Sequence, residues 1–569
     1  AGAIWALAQG VSQLGPAFDA PEWMTRWFVI AGIIGFPFWL AFAWFYEFTP
    51  QGIRRESEVA QSASIRHSTA RKLDFAIIGV LIVAVVLLGS GYFIRRHAPE
   101  VVAAQAGAFN PPADTLVVLP FKNLSGDPKQ QYFSDGITEE LTDALGQNTA
   151  LRVIAWDTAS KYRDSSETAS AIAKALNVAH ILHGSIARAG DAVRITAELV
   201  DARSGYQLWS QQYDDSFVNI FKVQDQVSQS IASALQVKLA QADLLAGGTR
   251  NPQAHELVLK GRALVEKLNT PSFEAARQDF EQALLLDPDY ADAHALLSRV
   301  LLQLTERSDL SLKTTLSAIR AHAERALALD PRNADAWAAL GNADSTSDPP
   351  DFAKARADFQ KALALDPSNS AAHLDYGNVL PLKPALAQEQ EATLLDPANA
   401  TAWNNLATAA QDLGDWPQMI RASEALLRLD APGVDSAFYL AYSYQQLQQP
   451  DKTLTGFDRV QPATELDKQQ VAAGRLVYRA AQDPTLRPQA LAALKALSLH
   501  QSNPDVAGNL LQLYLALDQS TAALQLLESY CPADPIGCDD LAINPMYRAL
   551  RTDPRFQQLA KKYTIETLD

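Results

Sequence analysis

The tripeptide Leu-Asp-Pro returns at 286–288, 329–331, 365–367 and 395–397, and Leu429-Asp430 continues the series with Pro432 slightly displaced. The aspartate-to-aspartate steps are 43, 36, 30 and 34 residues, on average close to the roughly 34 residues of one helix–turn–helix unit. A period of this length excludes a single closed core. Each unit can bury its apolar face only against its neighbours, so the units must stack into a solenoid. Within each period Leu-Asp ends a second helix. Proline then opens the next connection, because it lacks the N–H that a helix interior requires.

The interior of the units carries a matching pattern. Trp337, Leu340 and Gly341 on one first helix are answered by Ala355, Phe359, Ala362 and Pro367 on its second. Gly261, Ala276, Phe280, Ala283 and Pro288 set out the same order in the opening unit, and Trp403, Leu406 and Ala407 repeat its first half. Gly377 belongs to the fourth unit. Small residues are needed where paired helices approach, and large ones fill the gaps between neighbours. The pattern resembles the tetratricopeptide repeat, which implies an all-α array over 252–540 of about eight hairpins. The second unit carries about nine extra residues around Thr305–Thr315, and the fourth is about four short between Gly377 and Ala385. Such changes are expected in turns, along one edge of the solenoid. Beyond Asp435 the pattern weakens, although Ser436–Val460, Lys468–Leu497 and Asp505–Tyr530 still read as helical pairs. The segment 541–569 reads as capping helices, with a polar-faced helix over Pro545–Leu559.

The first 96 residues read as a membrane anchor. Trp27–Tyr46 and Phe75–Ile94 are uncharged runs of 20 residues, long enough as helices to cross a hydrocarbon layer about 30 Å thick. Spans are expected at about 24–46 and 74–95. Ala1–Phe18 is also uncharged and suits the end of a further span that begins upstream, or an interfacial helix or targeting remnant. The loop 47–73 carries Arg54, Arg55, Arg66, Arg71 and Lys72, whereas Gly15–Arg26 has Asp19, Glu22 and one arginine. Basic loops stay inside, so this loop is expected in the cytoplasm and residues from about 97 outside it. Arg95 and Arg96 pull the other way.

An Ala- and Pro-rich linker, 97–113, precedes a segment of a different kind, 114–242. Strands are expected at Thr115–Phe121, Leu151–Ala155, His180–Ile186, Val193–Val200 and Tyr206–Tyr213. Helices fit a start near Ser134 or Asp135, either of which suits an N-cap, and Glu167–Leu176 and Val218–Leu239. That order makes a mixed α/β domain. Its Leu119–Pro128, Tyr132–Leu141 and Leu208–Tyr213 segments resemble the domain related to the amino-terminal domain of TolB. In bacteria that domain stands between a membrane anchor and tetratricopeptide repeats, sometimes behind a CadC-like winged helix or an adenylate cyclase domain. The resemblance implies envelope assembly and protein contact. The stretch Glu47–Arg55 also resembles the anchors of such proteins.

A net charge of -16 and a pI near 5.1 speak against a nucleic-acid partner. Cys531 and Cys538 suit a small disulfide loop in an oxidising compartment, or remain two thiols. His255, His294 and His373 fall near one first-helix position, which suits packing better than a metal site. His180 and His183 point to opposite faces of one strand. Ser125-Gly-Asp-Pro and Ser134-Asp-Gly lack the lysine of a P-loop and read as a turn and a helix start. No catalytic, cofactor-binding or metal-ligating set stands out. The fold class expected is multidomain: transmembrane helices, a mixed α/β domain and an all-α solenoid. The function expected is a non-enzymatic scaffold of the bacterial inner membrane, with residues 97–569 in the periplasm. Its partners are then the lipid bilayer and envelope or inner-membrane proteins. The alternative is a sensor coupled to a cytoplasmic effector. An enzyme would need a cluster assembled in space, such as buried carboxylates in a pocket.

Overall fold

The computed structural model describes residues 46–49, 52–55, 109–235, 248–307, 312–429, 431, 433–533, 538 and 540–563. They belong to two compact units, 1–106 and 107–569. The expected spans at 24–46 and 74–95, the partial span 1–18 and most of the linker 97–113 lie outside the described residues. Among the described residues no helix is long and apolar enough to cross a membrane. In the first unit, β1 (Tyr46–Thr49) pairs antiparallel with β2 (Gly52–Arg55), with Tyr46 opposite Arg55.

The second unit begins with the α/β domain. β3 (Thr115–Val118) is fully buried, as its unbroken apolar run requires, and β4 (Lys122–Asn123) follows. Next come α1 (Gln131–Gly146), β5 (Arg152–Val153), α2 (Trp156–Ala159) and α3 (Ala169–Leu176). The long meander β6 (His180–Ala189), β7 (Ala192–Asp201) and β8 (Gln207–Ser216) leads into α4 (Ile220–Ala234). The sheet order is β5-β3-β6-β7-β8, with β4 beside β6. β3 runs parallel to β5 and β6, and the meander is antiparallel. Gly190 and Gly205 make the two hairpin turns at φ 60° and 73°, a region that costs glycine little. α1 and α4 bury Leu182, Ile186, Val193, Ile195 and Leu199 on one face. α2 and α3 cover Val117, Ile154 and Ile181 on the other.

α1 differs from expectation at its start. It begins at Gln131, after a 3-10 turn at Pro128–Gln130 that Asp127 caps by accepting the Lys129 N–H at 3.0 Å. Ser134 and Asp135 therefore sit inside the helix and are buried, and neither acts as a cap. The proline sets the earlier start, since it suits a first helical turn.

Eight helical pairs follow among the described residues. They are α5 (Pro252–Val265) with α6 (Thr270–Leu286), α7 (Ala291–Arg307) with α8 (Leu312–Leu329), and α9 (Ala334–Ser345) with α10 (Phe352–Leu365). Next are α11 (Ser370–Gly377) with α12 (Leu382–Leu395), α13 (Ala400–Leu413) with α14 (Trp416–Arg428), and α15 (Asp435–Gln446) with the short α16 (Thr455–Arg459). The array ends with α17 (Glu465–Gln482) and α18 (Arg487–Leu497), then α19 (Pro504–Ala516) and α20 (Ser520–Tyr530). Ala276, Phe280, Ala283, Ala355, Phe359, Ala362, Leu406 and Ala407 have no exposed surface, and Leu340 is also buried. A Cβ on Gly341 would come within 2.9 Å of the Phe359 ring, and Gly261 faces Phe280 still more closely.

The turns explain two further residue choices. His294 Nε2, Trp337 Nε1, His373 Nε2 and Trp403 Nε1 lie 3.2, 3.0, 3.0 and 2.9 Å from the carbonyls of Pro288, Pro331, Pro367 and Pro397. The position selects a ring with an N–H because that carbonyl has no helical partner. His255 does not share it: it lies two residues earlier relative to its glycine and turns to α1. Asn333 and Asn369 cap their helices by accepting the Ala336 and Ala372 N–H groups. Their amides also donate to Asp292 and Asp335 of the preceding unit, at 2.8 and 3.2 Å.

Two expectations change. The extra residues of the second unit lengthen its helices to 17 and 18 residues, against 12 and 14 in the third. Buried Leu304 and neighbouring leucines extend the apolar stripe, so extra helix forms where an edge loop was expected. Pro545–Leu559 is not one helix either. A 3-10 turn at Pro545–Ala549 is followed by α21 (Pro554–Tyr563), because Pro554 opens a new helix. The structure joins Cys531 to Cys538, both without exposed surface, and the tail then folds back on α13. There Asn544 Nδ2 donates to Asp412 at 2.8 Å.

Gly341→Val is expected to cost about 1–3 kcal/mol by crowding Phe359. Trp337→Phe, which loses the turn bond and weakens the contact of the ring with Lys361, should cost about 1 kcal/mol. Urea unfolding of the two variants checks both the order and the sizes.

Candidate functional site

The α/β domain lies against the first helices of the array, the face through which such repeats meet other chains. α1 runs along α5, and Gly136 permits the approach: a Cβ there would lie 2.6 Å from Leu259 Cδ2. Beyond this contact the interface is ionic. Arg262 Nη1, on a side chain only 10% exposed, donates to Glu139 at 2.7 Å and to Asp143 at 3.0 Å. His255 Nε2 meets Glu140 Oε1 at 2.8 Å. One turn beyond Arg262, Glu266 accepts from Trp156 Nε1 at 2.5 Å and pairs with Arg163 at 3.2 Å, while Arg163 also holds Asp135 at 3.1 Å. His255 and Arg262 lie on one face of α5, and Glu266, its C-cap, continues that stripe at helical spacing. Farther along, the Val153 N–H donates to Ser368 Oγ at 3.1 Å and the Ala155 N–H to the Leu395 carbonyl at 2.8 Å. Thr158 Oγ1 donates to Asp396 at 2.5 Å. The domain thus bridges from the first unit to the turn that opens the fifth.

Between the two parts lies a cavity of about 230 Å³ lined by Glu139, Glu140, Asp143, Asp292, Asp335 and Asp366, with Arg262 and Arg299 among them. Burial pushes Asp143 up to about 7; Arg262 opposes the rise, and Glu139 and Asp335 add to it. Burial likewise raises Asp292 and Asp366 to about 8. For Glu140 burial is outweighed by His255, and its carboxyl is held below the usual range. Among the described residues no group of three or more His, Cys, Asp or Glu side chains is placed to hold a metal ion. Chemically, the cluster gathers several raised carboxyls around one cation, Arg262.

Another carboxyl sits inside the fourth unit. Glu389 occupies the position that Phe280 and Phe359 fill elsewhere, facing Gly377. It is 3% exposed, and its Oε2 has no hydrogen-bond partner. Burial pushes it up to about 8, against a bond from Asn405 on α13 and with a contribution from Asp375 on α11.

Toward the carboxy-terminal ends of α11 and α13, away from the turns that the α/β domain contacts, the first-helix face is polar and accessible. Asn342 Nδ2 donates to Asp375 at 2.8 Å, and Asn405 Nδ2 to Asn378 Oδ1 at 3.1 Å. Asn378 and Thr408 are exposed, and Asn404 is half-buried beside them. Most of the repeat-defining residues read from the sequence form the core behind this face; Trp337 and Trp403 serve the turns, where Pro288 is exposed and Pro367 half-buried. The sequence reading missed Glu139, Glu140, Asp143 and Arg262 as a set. The one signal available was the dense run of acids in α1, which no local pattern connects to an arginine more than a hundred residues away.

A family described as "Plant specific mitochondrial import receptor subunit TOM20" matches residues 265–381, less than half of the chain. A protein of Rhizobium meliloti (strain 1021) named "Putative adenylate cyclase 3" is 36% identical over 211 residues, which cover 37% of this chain. The chain spans about a third of the length of that curated relative, 36%. Among solved structures, "Functional Characterization of Pseudomonas Aeruginosa pilF" and "Crystal structure of PilW, widely conserved type IV pilus biogenesis factor" are each 17% identical at a TM-score of 0.30. They cover 36% and 38% of this chain, and 89% and 96% of their own. The structure titled "Crystal structure of YrrB: a TPR protein with an unusual peptide-binding site" is 22% identical at a TM-score of 0.26, covering 32% of this chain and 89% of its own. The repeat fold of this chain rests on its own hairpins.

Replacing Arg262 with Met leaves Glu139, whose side chain is 12% exposed, without its cation and is expected to cost about 3–5 kcal/mol, with amide exchange rising in α1 and α5. A carboxyl raised in the fold contributes stability that is complete below its ordinary pKa and is lost as pH rises through the raised value. The melting temperature should therefore fall between about pH 4 and 8, and Glu389→Gln should reduce that fall. An equal fall in the variant would show that Glu389 carries none of it.

Proposed function

We propose that the chain is a protein-interaction scaffold anchored in the bacterial inner membrane, presenting a TolB-like domain and a tetratricopeptide array to envelope partners in the periplasm. The observation that carries the reading is the uncovered first-helix face of the fourth and fifth units, at Asp375, Asn378, Asn404, Asn405 and Thr408. In stacked helical repeats this face gives an extended surface for another chain. The α/β domain takes up the corresponding face of the opening unit and reaches the turns that open the fourth and fifth, so an external partner engages the carboxy-terminal ends of α11 and α13. The membrane part of the proposal is supported by the uncharged runs at 27–46 and 75–94 and by the basic loop between them. The TolB-like part is supported by the three segments quoted above. The reading assigns no catalytic residue and no cofactor.

Deleting 252–569 would also uncover the α1 face that Arg262 and Leu259 cover, so point variants give the cleaner test. Asn378→Lys combined with Thr408→Lys changes two exposed side chains and should leave the melting temperature unchanged. Affinity capture from membranes with quantitative mass spectrometry should show partners at least tenfold depleted relative to the wild-type chain. An identical partner set would sink the reading.

A second reading, a sensor coupled to a cytoplasmic effector, is favoured by the similarity to a relative named as an adenylate cyclase. The intact mass of the native gene product separates the two. A hundred or more residues before Ala1 would favour the sensor, and a short start the scaffold.

A further inference from the structure

The two edges of the α/β sheet are treated differently. At one edge β5 is only two residues long, and the neighbouring N–H groups of Val153 and Ala155 are taken by Ser368 and Leu395 of the array. At the other edge β8 runs for ten residues, Gln207–Ser216, and among the described residues no strand lies beyond it. An open edge is a template for another strand, and folds usually blunt it with charge, proline, a bulge or brevity. β8 is long and lacks lysine and proline, and its charges, Asp214 and Asp215, stand only near its carboxy-terminal end. A register shift opposite Leu199 and Val200 marks its first residues, and from Trp209 to Ser216 the ladder with β7 is regular. Large apolar side chains stand exposed at both ends of the strand: Tyr206 (76%), Leu208 (46%) and Val218 (56%).

We propose that β8 pairs antiparallel with β8 of a second copy of this chain, about a two-fold axis at Gln212, joining two sheets into one. The strand's own sequence selects this occupant and this direction. In an antiparallel pair opposite residues either both point their backbone groups across the seam or both point away, so a two-fold axis must fall on a residue. Centred on Gln212, which lies near the middle of the regular stretch, the register sets Ser210 opposite Asp214 of the other copy. A hydroxyl there meets a carboxylate. The two Gln212 side chains face one another, each amide already donating to Asp214 of its own strand at 2.7 Å. Asp214 and Asp215 of the two copies end up at opposite ends of the seam, which avoids like charges in register. A parallel arrangement would stack them. The paired stretch then runs from Trp209 to Asp215, with Tyr206, Leu208 and Val218 just beyond its two ends. Arg194, which holds Asp214 at 2.5 Å from β7, keeps that acid paired next to the seam.

The test uses the full chain in lipid nanodiscs. Cys531 and Cys538 are bonded to each other, so an added cysteine supplies the reactive thiol. Gln212→Cys falls on the axis, where facing Cα atoms lie about 4.5–5.5 Å apart, within disulfide reach. Thr196→Cys on β7, in register with Gln212 but one strand away, would sit about 15 Å from its mate. Mild oxidation should give a covalent dimer with Gln212→Cys and none with Thr196→Cys. Gln212→Lys should weaken self-association at least tenfold by mass photometry, with an unchanged melting temperature. Monomeric wild-type chain, equal crosslinking at both positions, or a lysine variant that still dimerises would each overturn the proposal.

Discussion

A single buried guanidinium holds this molecule in the arrangement that matters. Arg262 stands between α1 and α5 and bonds both Glu139 and Asp143. A cation in such a place is costly unless its partners are fixed, so the acids of α1 and the first helix of the array specify each other. Once that contact is made, Arg163 and Glu266 extend it. The segment 153–158 then follows the turns as far as Asp396. The α/β domain and the opening units consequently form one body, whereas a string of beads would have left the first-helix face open from its start.

The same packing decides where another chain can bind. The opening unit spends its inner stripe on the domain, and the tail returns to α13 through Asn544 and Asp412. What lies between is a short polar window at the fourth and fifth units. That stretch is also the least regular in composition, because Glu389 takes the place of the aromatic plug used elsewhere. The unequal units therefore matter more for stability and access than for edge decoration: the longer second unit became longer helices, and the shorter fourth became a compact pair with a carboxyl at its centre.

Much of the fold was legible in the sequence because its causes are local and repeated. The Leu-Asp-Pro steps, the glycine-to-phenylalanine contacts and the alternation along β7 each express a geometric rule that acts within a few residues or one period. Where the reading went wrong, a neighbour intervened. Ser134 and Asp135 suit a cap, yet Pro128 opens the helix a turn earlier. His255 seemed to match His294 and His373 by spacing, but its register relative to Gly261 turns it to Glu140.

The sequence by itself determined that this chain builds helical pairs behind a small α/β domain, since periodicity and glycine placement admit little else. Only the tertiary structure decided that the domain folds onto the array and, among the described residues, which face of the array remains open and that one sheet edge is closed while the other is free. Those outcomes depend on residues far apart in the chain, such as Glu139 with Arg262 and Val153 with Ser368. Their energy arises only when both partners leave water together, and no local pattern records such a pairing.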